Sequence, residues 1–204
     1  GFDMWDIPQT VRKGIIPPYL KMLDIQYRMN PDIREKVSRF AYLGKLKDAP
    51  GLAVQRREEA ARPPFPEQAL VRLNTSPYGA EGCRPEGGSR WNIVSAALAV
   101  GLAQEALSQS FSPVAIITPY REQARLLHRL IRDLGLREVL CGTVHRFQGG
   151  EAPYVVVDLV EGKRRRHKWT PFFADDREET ASRLFTVALS RAQVKVAILG
   201  DWPL

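Results

Sequence analysis

Residues 112–135 read SPVAIITPYREQARLLHRLIRDLG. Its first part, VAIIT (114–118), is an unbroken apolar run of strand length between two prolines. A strand that is apolar at every position has to be covered on both faces. The period then changes. Leu127, Ile131 and Leu134 recur at helical spacing, while Arg121, Arg125, His128, Arg129 and Arg132 take the other side. Thr118 is expected to cap this helix, with Pro119 at its first position. A buried strand running straight into an amphipathic helix is the unit of a parallel sheet with crossover helices.

The same grammar repeats outward. Downstream, EVLCG (138–142), YVVVDLV (154–160) and VKVAILGD (194–201) read as buried strands, and SRLFTVALSRAQ (182–193) as a helix. Upstream, KMLDIQY (21–27) and ALVRLN (69–74) have strand character, and WNIVSAALAVGLAQEALSQS (91–110) reads as a long, mostly buried helix. In NPDIREKVSRFAYLG, Asn30 is a good N-cap, Pro31 fits the first turn, Ile33, Val37, Phe40 and Ala41 share a face, and Gly44 can end the helix. Residues 48–68 carry four prolines amid charges and are expected to be a loop, as are 76–89 and the insertion 161–180 with its basic run KRRRHKW. The fold expected is α/β, a parallel sheet with helices on both faces. There is no internal repeat.

The chain has 204 residues, 44% of them hydrophobic, enough for one domain with a real core. No apolar run approaches the ~20 residues of a membrane helix, and the start, GFDMWDIPQT, has neither the basic nor the apolar segment of a secretory signal. Cys83 and Cys141 make neither a disulfide framework nor a metal site. A cytoplasmic, nuclear or nucleoid location is expected rather than secretion. The net charge of +7 favours a polyanionic partner such as nucleic acid. Gly1 is not an initiator residue and the chain ends abruptly at DWPL, so it is expected to be a piece of a longer protein.

In parallel sheets ligands sit beyond the carboxyl ends of the strands. The residues following each strand are Gln26–Tyr27–Arg28, Thr118–Pro119–Tyr120, Thr143–Glu151 and Asp201. The stretch TVHRFQGGEAPYVVV (143–157) places Thr143, His145, Gln148 and Glu151 on one loop, with Gly149 and Gly150 free to bring backbone close to a ligand. Arg191 lies in VALSRA. Two arginines, a tyrosine and a carboxylate suit a nucleotide: arginine neutralises phosphate, an aromatic ring stacks on a base, and a carboxylate accepts from ribose hydroxyls. Arg28 could equally be a surface arginine paired with Asp24 or Asp32, and Tyr27 a core aromatic.

LDIQYRMNPDI, AIITPY, TVHRFQGGEAPYVVVD and VALSRA, in this order, resemble the C-terminal RecA-like domain of superfamily 1 helicases, in the branch of the RNA-decay helicases and related DNA helicases. The resemblance spans roughly 20–204, with 1–20 as a linker from a preceding domain. It implies that Arg28 and Arg191 are arginine fingers on the γ-phosphate of ATP. Tyr27 would pack on adenine, Glu151 would hold the ribose, and Gln148 with Gly149 would couple nucleotide to nucleic acid. Thr118, Pro119, Tyr120, Thr143 and His145 would meet a single strand of DNA or RNA. By resemblance, movement would run 5′ to 3′. The family more often has Asn at position 186, Thr at 190 and a basic residue at 150, where this chain has Thr186, Ser190 and Gly150.

No GxxxxGK[ST] phosphate loop and no clear magnesium-binding acidic pair is present in the sequence. ATP and Mg2+ are therefore expected to be held mainly by a preceding N-terminal RecA-like domain, and the chain alone to lack useful ATPase activity. Two rival functions use the same motifs: a switch ATPase of a nuclease-linked or defence system, and a non-enzymatic nucleic-acid-binding module. A nuclease domain in the flanking sequence marks the first, and a missing phosphate loop upstream marks the second.

Overall fold

The computed structural model describes residues 23–79, 82–83, 89–147, 150–160 and 185–201. Seven strands and four helices follow one another: β1 (Ile25–Gln26), α1 (Pro31–Ala41), β2 (Lys47–Asp48), α2 (Leu52–Ala60), β3 (Leu70–Asn74), α3 (Ile93–Ser108), β4 (Val114–Thr118), α4 (Arg121–Asp133), β5 (Val139–Thr143), β6 (Ala152–Asp158) and β7 (Ala192–Gly200). Short 3-10 turns stand at Ser76–Tyr78 and Val144–Phe147, and residues 185–189 are helical. Five strands form one parallel sheet in the order β3-β7-β6-β4-β5, while β1 and β2 pair in parallel as a separate ribbon.

The alternation along each strand divides the core in two. Val114 and Ile116 of β4, Tyr154 and Val156 of β6, and Val139 and Cys141 of β5 face the same side as α3 and α4. Ala115, Ile117, Val155 and Val157 face the other side, against Ile33 and Val37 of α1 and against Ala188 and Leu189. Both faces are thus covered by helices, the architecture expected from the apolar strand runs. The face of α3 that meets the sheet is built from Ala96, Ala99, Ala103 and Ala106, small side chains that let the helix lie close. α3 is capped by Asn92, whose side chain accepts from Val94 N and Ser95 N. α1 is capped by Asn30, which accepts from Asp32 N at 3.0 Å. Past its end Gly44 adopts φ +74° and returns its N–H to Ser38 O, the left-handed conformation glycine enters without Cβ strain.

Three expectations are corrected. Residues 48–68 are not a continuous loop: Asp48 pairs in β2, and α2 occupies 52–60. Pro50 precedes the helix and Pro63, Pro64 and Pro66 fall beyond its end, and α2 is held by tertiary bonds to the turn after β1, as described below. The helix after β4 starts at Arg121 with Tyr120 as N-cap, not at Pro119 with Thr118 as cap. Thr118 is the last residue of β4 paired to β5, so the chain must leave the sheet before it can coil. Finally, the helix expected over 182–193 ends by residue 189, because Ala192 already pairs with Ala152 as the first residue of β7. Residues 182–184, the segment 1–20 and the insertion 161–180 lie outside the described residues. Among those described, no helix is long and apolar enough to cross a membrane.

Candidate nucleotide and nucleic-acid interface

The register of β6 against β7, Ala152 opposite Ala192, puts Glu151 and Arg191 side by side just before their strands. They therefore stand at the amino end of the main sheet. Thr118, Thr143, Asp158 and Asp201 stand at its carboxyl end. This corrects the expectation of a single ledge beyond the carboxyl ends. The polar candidates are divided between the two ends, because Val144 to Glu151 carries the chain back across the sheet from β5 to β6.

At the amino end, Arg28 reaches Glu151 rather than Asp24 or Asp32. Its Nε donates to Glu151 Oε2 in an ion pair, and its Nη1 donates to Ser190 O at 3.2 Å. Arg191 donates through Nε to Val187 O (3.1 Å), through Nη1 to Gly150 O (3.2 Å) and through Nη2 to Ser190 Oγ (3.2 Å). Burial, and then the neighbouring Arg28 guanidinium, press the Arg191 pKa below its ordinary value. Arginine nevertheless stays charged at any ordinary pH. Arg28 is ion-paired with Glu151, whereas Arg191 is bonded to backbone and hydroxyl oxygens and feels that carboxylate only electrostatically; two guanidinium groups beside one carboxylate leave a net positive charge and an anion-binding character. Gln193 Nε2 donates to the other Glu151 oxygen at 2.9 Å. Tyr27 is 74% exposed, so it is a surface ring open to stacking and not a core aromatic. The residues present fit a phosphate. Among the described residues no group of three or more His, Cys, Asp or Glu side chains could hold a metal ion.

Gln26 organises the turn that carries Tyr27 and Arg28. Its Oε1 accepts from Arg28 N (2.8 Å) and Met29 N (2.7 Å), and its Nε2 donates to Met29 O and Asp48 Oδ1. Asp48 is held in turn by Arg34 through two bonds of 3.2 and 3.0 Å. The sequence reading placed Gln26 after a strand but missed this role, and missed Gln193 and Arg56 altogether. A buried amide within a motif turn is the one signal that could have found Gln26.

At the carboxyl end, Tyr120 and Pro119 are half-buried and Thr143 is partly open. Arg90 Nη1 donates to Tyr120 Oη at 3.0 Å, with its guanidinium 5.5 Å from the ring centroid. Thr118 is fully buried, and its Oγ1 faces Tyr120 N at 3.4 Å. It shapes the turn into α4 and does not present a hydroxyl at the surface. Behind it lies a sealed polar network. Gln123 Nε2 donates to Asp158 Oδ2 (2.6 Å), Asn92 O (3.1 Å) and Ser95 Oγ (3.2 Å), and Gln123 Oε1 accepts from Asn92 N (2.8 Å). Burial pushes Asp158 up to about 6, against the pull of Gln123, Ser95 and Val160 N. Cys141 is buried, and its thiol is pushed up to about 12, so it behaves as a small core residue.

The crossing from one end to the other begins with the turn Val144–Phe147. Phe147 packs on Gly142 of β5, where an added Cβ would come within 3.3 Å of its ring. His145 lies in this turn, its side chain outside the described atoms. Gln148 and Gly149 lie outside the described residues.

The family described as AAA domain matches residues 10–202. Among curated proteins, the chain is 28% identical to the regulator of nonsense transcripts 1 homolog of Neurospora crassa over 88% of this chain and 16% of that one. It is 29% identical to an uncharacterized ATP-dependent helicase of Methanocaldococcus jannaschii, over 91% and 27%. It is 26% identical to the ATP-dependent helicase NAM7 of Saccharomyces cerevisiae, over 88% and 18%. The chain spans between about a sixth and just over a quarter of the length of these three relatives. With the parallel sheet covered on both faces and the four motifs in order, the chain belongs to the AAA domain family and is a superfamily 1 helicase domain of RecA-like fold.

Proposed function

We propose that this chain is the second motor domain of an ATP-dependent helicase or translocase. ATP binds between its amino-end cluster and a preceding N-terminal RecA-like domain, which supplies the phosphate cradle and the Mg2+ ligands. Arg28 and Arg191 act as arginine fingers on the γ-phosphate, stabilising charge that develops as the phosphoryl group transfers. Glu151 holds Arg28 in register and takes the ribose hydroxyls when the more strongly charged triphosphate draws that arginine away. Tyr27 stacks on the base. Tyr120, Pro119, Thr143 and His145, at the other end of the sheet, form part of the surface for a single strand of DNA or RNA. Thr118 supports that surface from beneath.

The observation that carries this reading is the convergence of Arg28, Glu151 and Arg191, far apart in the chain, on one half-exposed point. Their charges outnumber the single carboxylate among them. The test is single-strand-stimulated ATP hydrolysis by the full-length protein, wild type against Arg191→Ala and Arg28→Ala. Turnover is expected to fall about 10³-fold or more in each, with strand binding retained. Normal hydrolysis by both variants would overturn the reading.

A further inference from the structure

Arg28 carries a guanidinium whose usefulness depends on where its backbone stands. The turn bearing it is gripped from two sides. From within, Gln26 accepts from Arg28 N, as described above. From outside, Arg56 on α2 donates Nε to Arg28 O at 2.9 Å. The bond is reciprocated one layer up, where Asn30 Nδ2 donates to Arg56 O at 3.1 Å. Arg56 Nη1 is occupied by Glu59 at 2.7 Å, which orients the fork. Arg56 is thus tied at its side chain to the residue before Met29 and at its backbone to the N-cap of α1. Its side chain is only 13% exposed, so it is not a surface arginine sampling solvent. Asn30 N in turn donates to Gln193 O at 2.7 Å, and Gln193 holds Glu151. α2 therefore locks the Arg28 turn to the strand start that bears Arg191.

We infer that Arg56 is a positioning residue for the arginine finger: its guanidinium fixes the Arg28 carbonyl so that the Arg28 side chain is aimed at phosphate. Arg56 touches no substrate atom and acts through Arg28 alone. The inference rests on the proposed role of Arg28. Positioning is worth a large factor in rate when the reacting geometry tolerates little displacement. It does not contribute uniform binding, so it affects kcat more than KM.

The experiment is a double-mutant cycle on strand-stimulated ATPase of the full-length protein, with Arg56→Met and Arg28→Ala, alone and together. Methionine keeps the apolar stem and removes the donors. Arg56→Met is expected to lower kcat about 10-fold with KM for ATP within twofold, and to have no further effect once Arg28 is alanine. Arg56→Lys, which restores one donor, is expected to recover at least a third of the wild-type rate, and Glu59→Gln, which leaves the Nε bond, to keep nearly all of it. If Arg56→Met lowers the rate equally in both backgrounds, or not at all, the inference is overturned while the finger assignment stands. A lysine variant that folds and binds strand yet recovers nothing also overturns it. Should Arg28→Ala itself hydrolyse normally, the finger assignment fails and this inference falls with it.

Discussion

The two ends of the main sheet hold comparable numbers of polar groups and use them in opposite ways. At the carboxyl end, Gln123, Asn92, Ser95 and Asp158 are buried and satisfy one another. At the amino end, Arg28, Arg191 and Glu151 are part-exposed, with more positive than negative charge. A sealed network whose members satisfy one another can only support what is built on it. An open and unbalanced one has capacity left for an anion. The difference separates scaffold from site better than counting charged residues does.

The contrast breaks first at the arginines. Arg191→Ala should cost about 10³-fold in strand-stimulated turnover while shifting the melting temperature little; a collapse in melting temperature with proportionate loss of activity would make the amino end scaffold too. Next comes Gln123→Leu, which removes the Asp158 donor and leaves a buried carboxylate underpaired. It should cost about 3 kcal/mol near pH 7.5 and less near pH 5, where Asp158 is protonated; thermal melts at the two pH values read the difference.

Asp158→Asn sharpens the same side. The folded-state pKa of Asp158 is about 6, above its ordinary 3.8. Between those values the folded chain keeps a proton that the unfolded chain releases, so stability falls as pH rises from about 4 to 6. The two-unit shift corresponds to at most about 3 kcal/mol; Asp158→Asn should flatten that slope, at a cost in stability because its amide N–H would face the Gln123 or the Val160 donor. A smaller effect is expected from Arg34→Met, which frees Asp48 and loosens Gln26: about 1 kcal/mol in stability. The smallest is a control. Arg39 and Glu35 on α1 are more exposed than the Arg28–Glu151 pair and make an i,i+4 contact. Glu35→Gln should change stability by less than about 0.5 kcal/mol and turnover not at all.

The strands were legible because full burial leaves an unbroken apolar run, as in VAIIT and YVVV. Arg28, Glu151 and Arg191 were legible from motif context. What escaped was whatever depends on register. Nothing local says that Glu151 and Arg191 precede their strands side by side at the amino end; that follows from Ala152 meeting Ala192 across the sheet. α2 was taken for loop because LAVQRREEA has only weak amphipathic patterning and sits among prolines. Arg56 was invisible for the same reason, since its partner is a backbone carbonyl and not a complementary side chain. Thr118 was read as the end of a buried strand and as a helix cap; it is buried, but the cap is Tyr120.

The passage from β5 to β6 has a property of length. It must run back along a strand of five residues, about 17 Å, and sideways past β4 by two strand spacings, about 10 Å, so the straight path is about 20 Å. Both of its ends are fixed by strand pairing: Thr143 is paired with Thr118 at the carboxyl end, and Glu151 stands one residue before Ala152 pairs with Ala192 at the amino end. The two ends of the sheet are therefore joined by one short covalent path of eight residues as well as through the sheet itself.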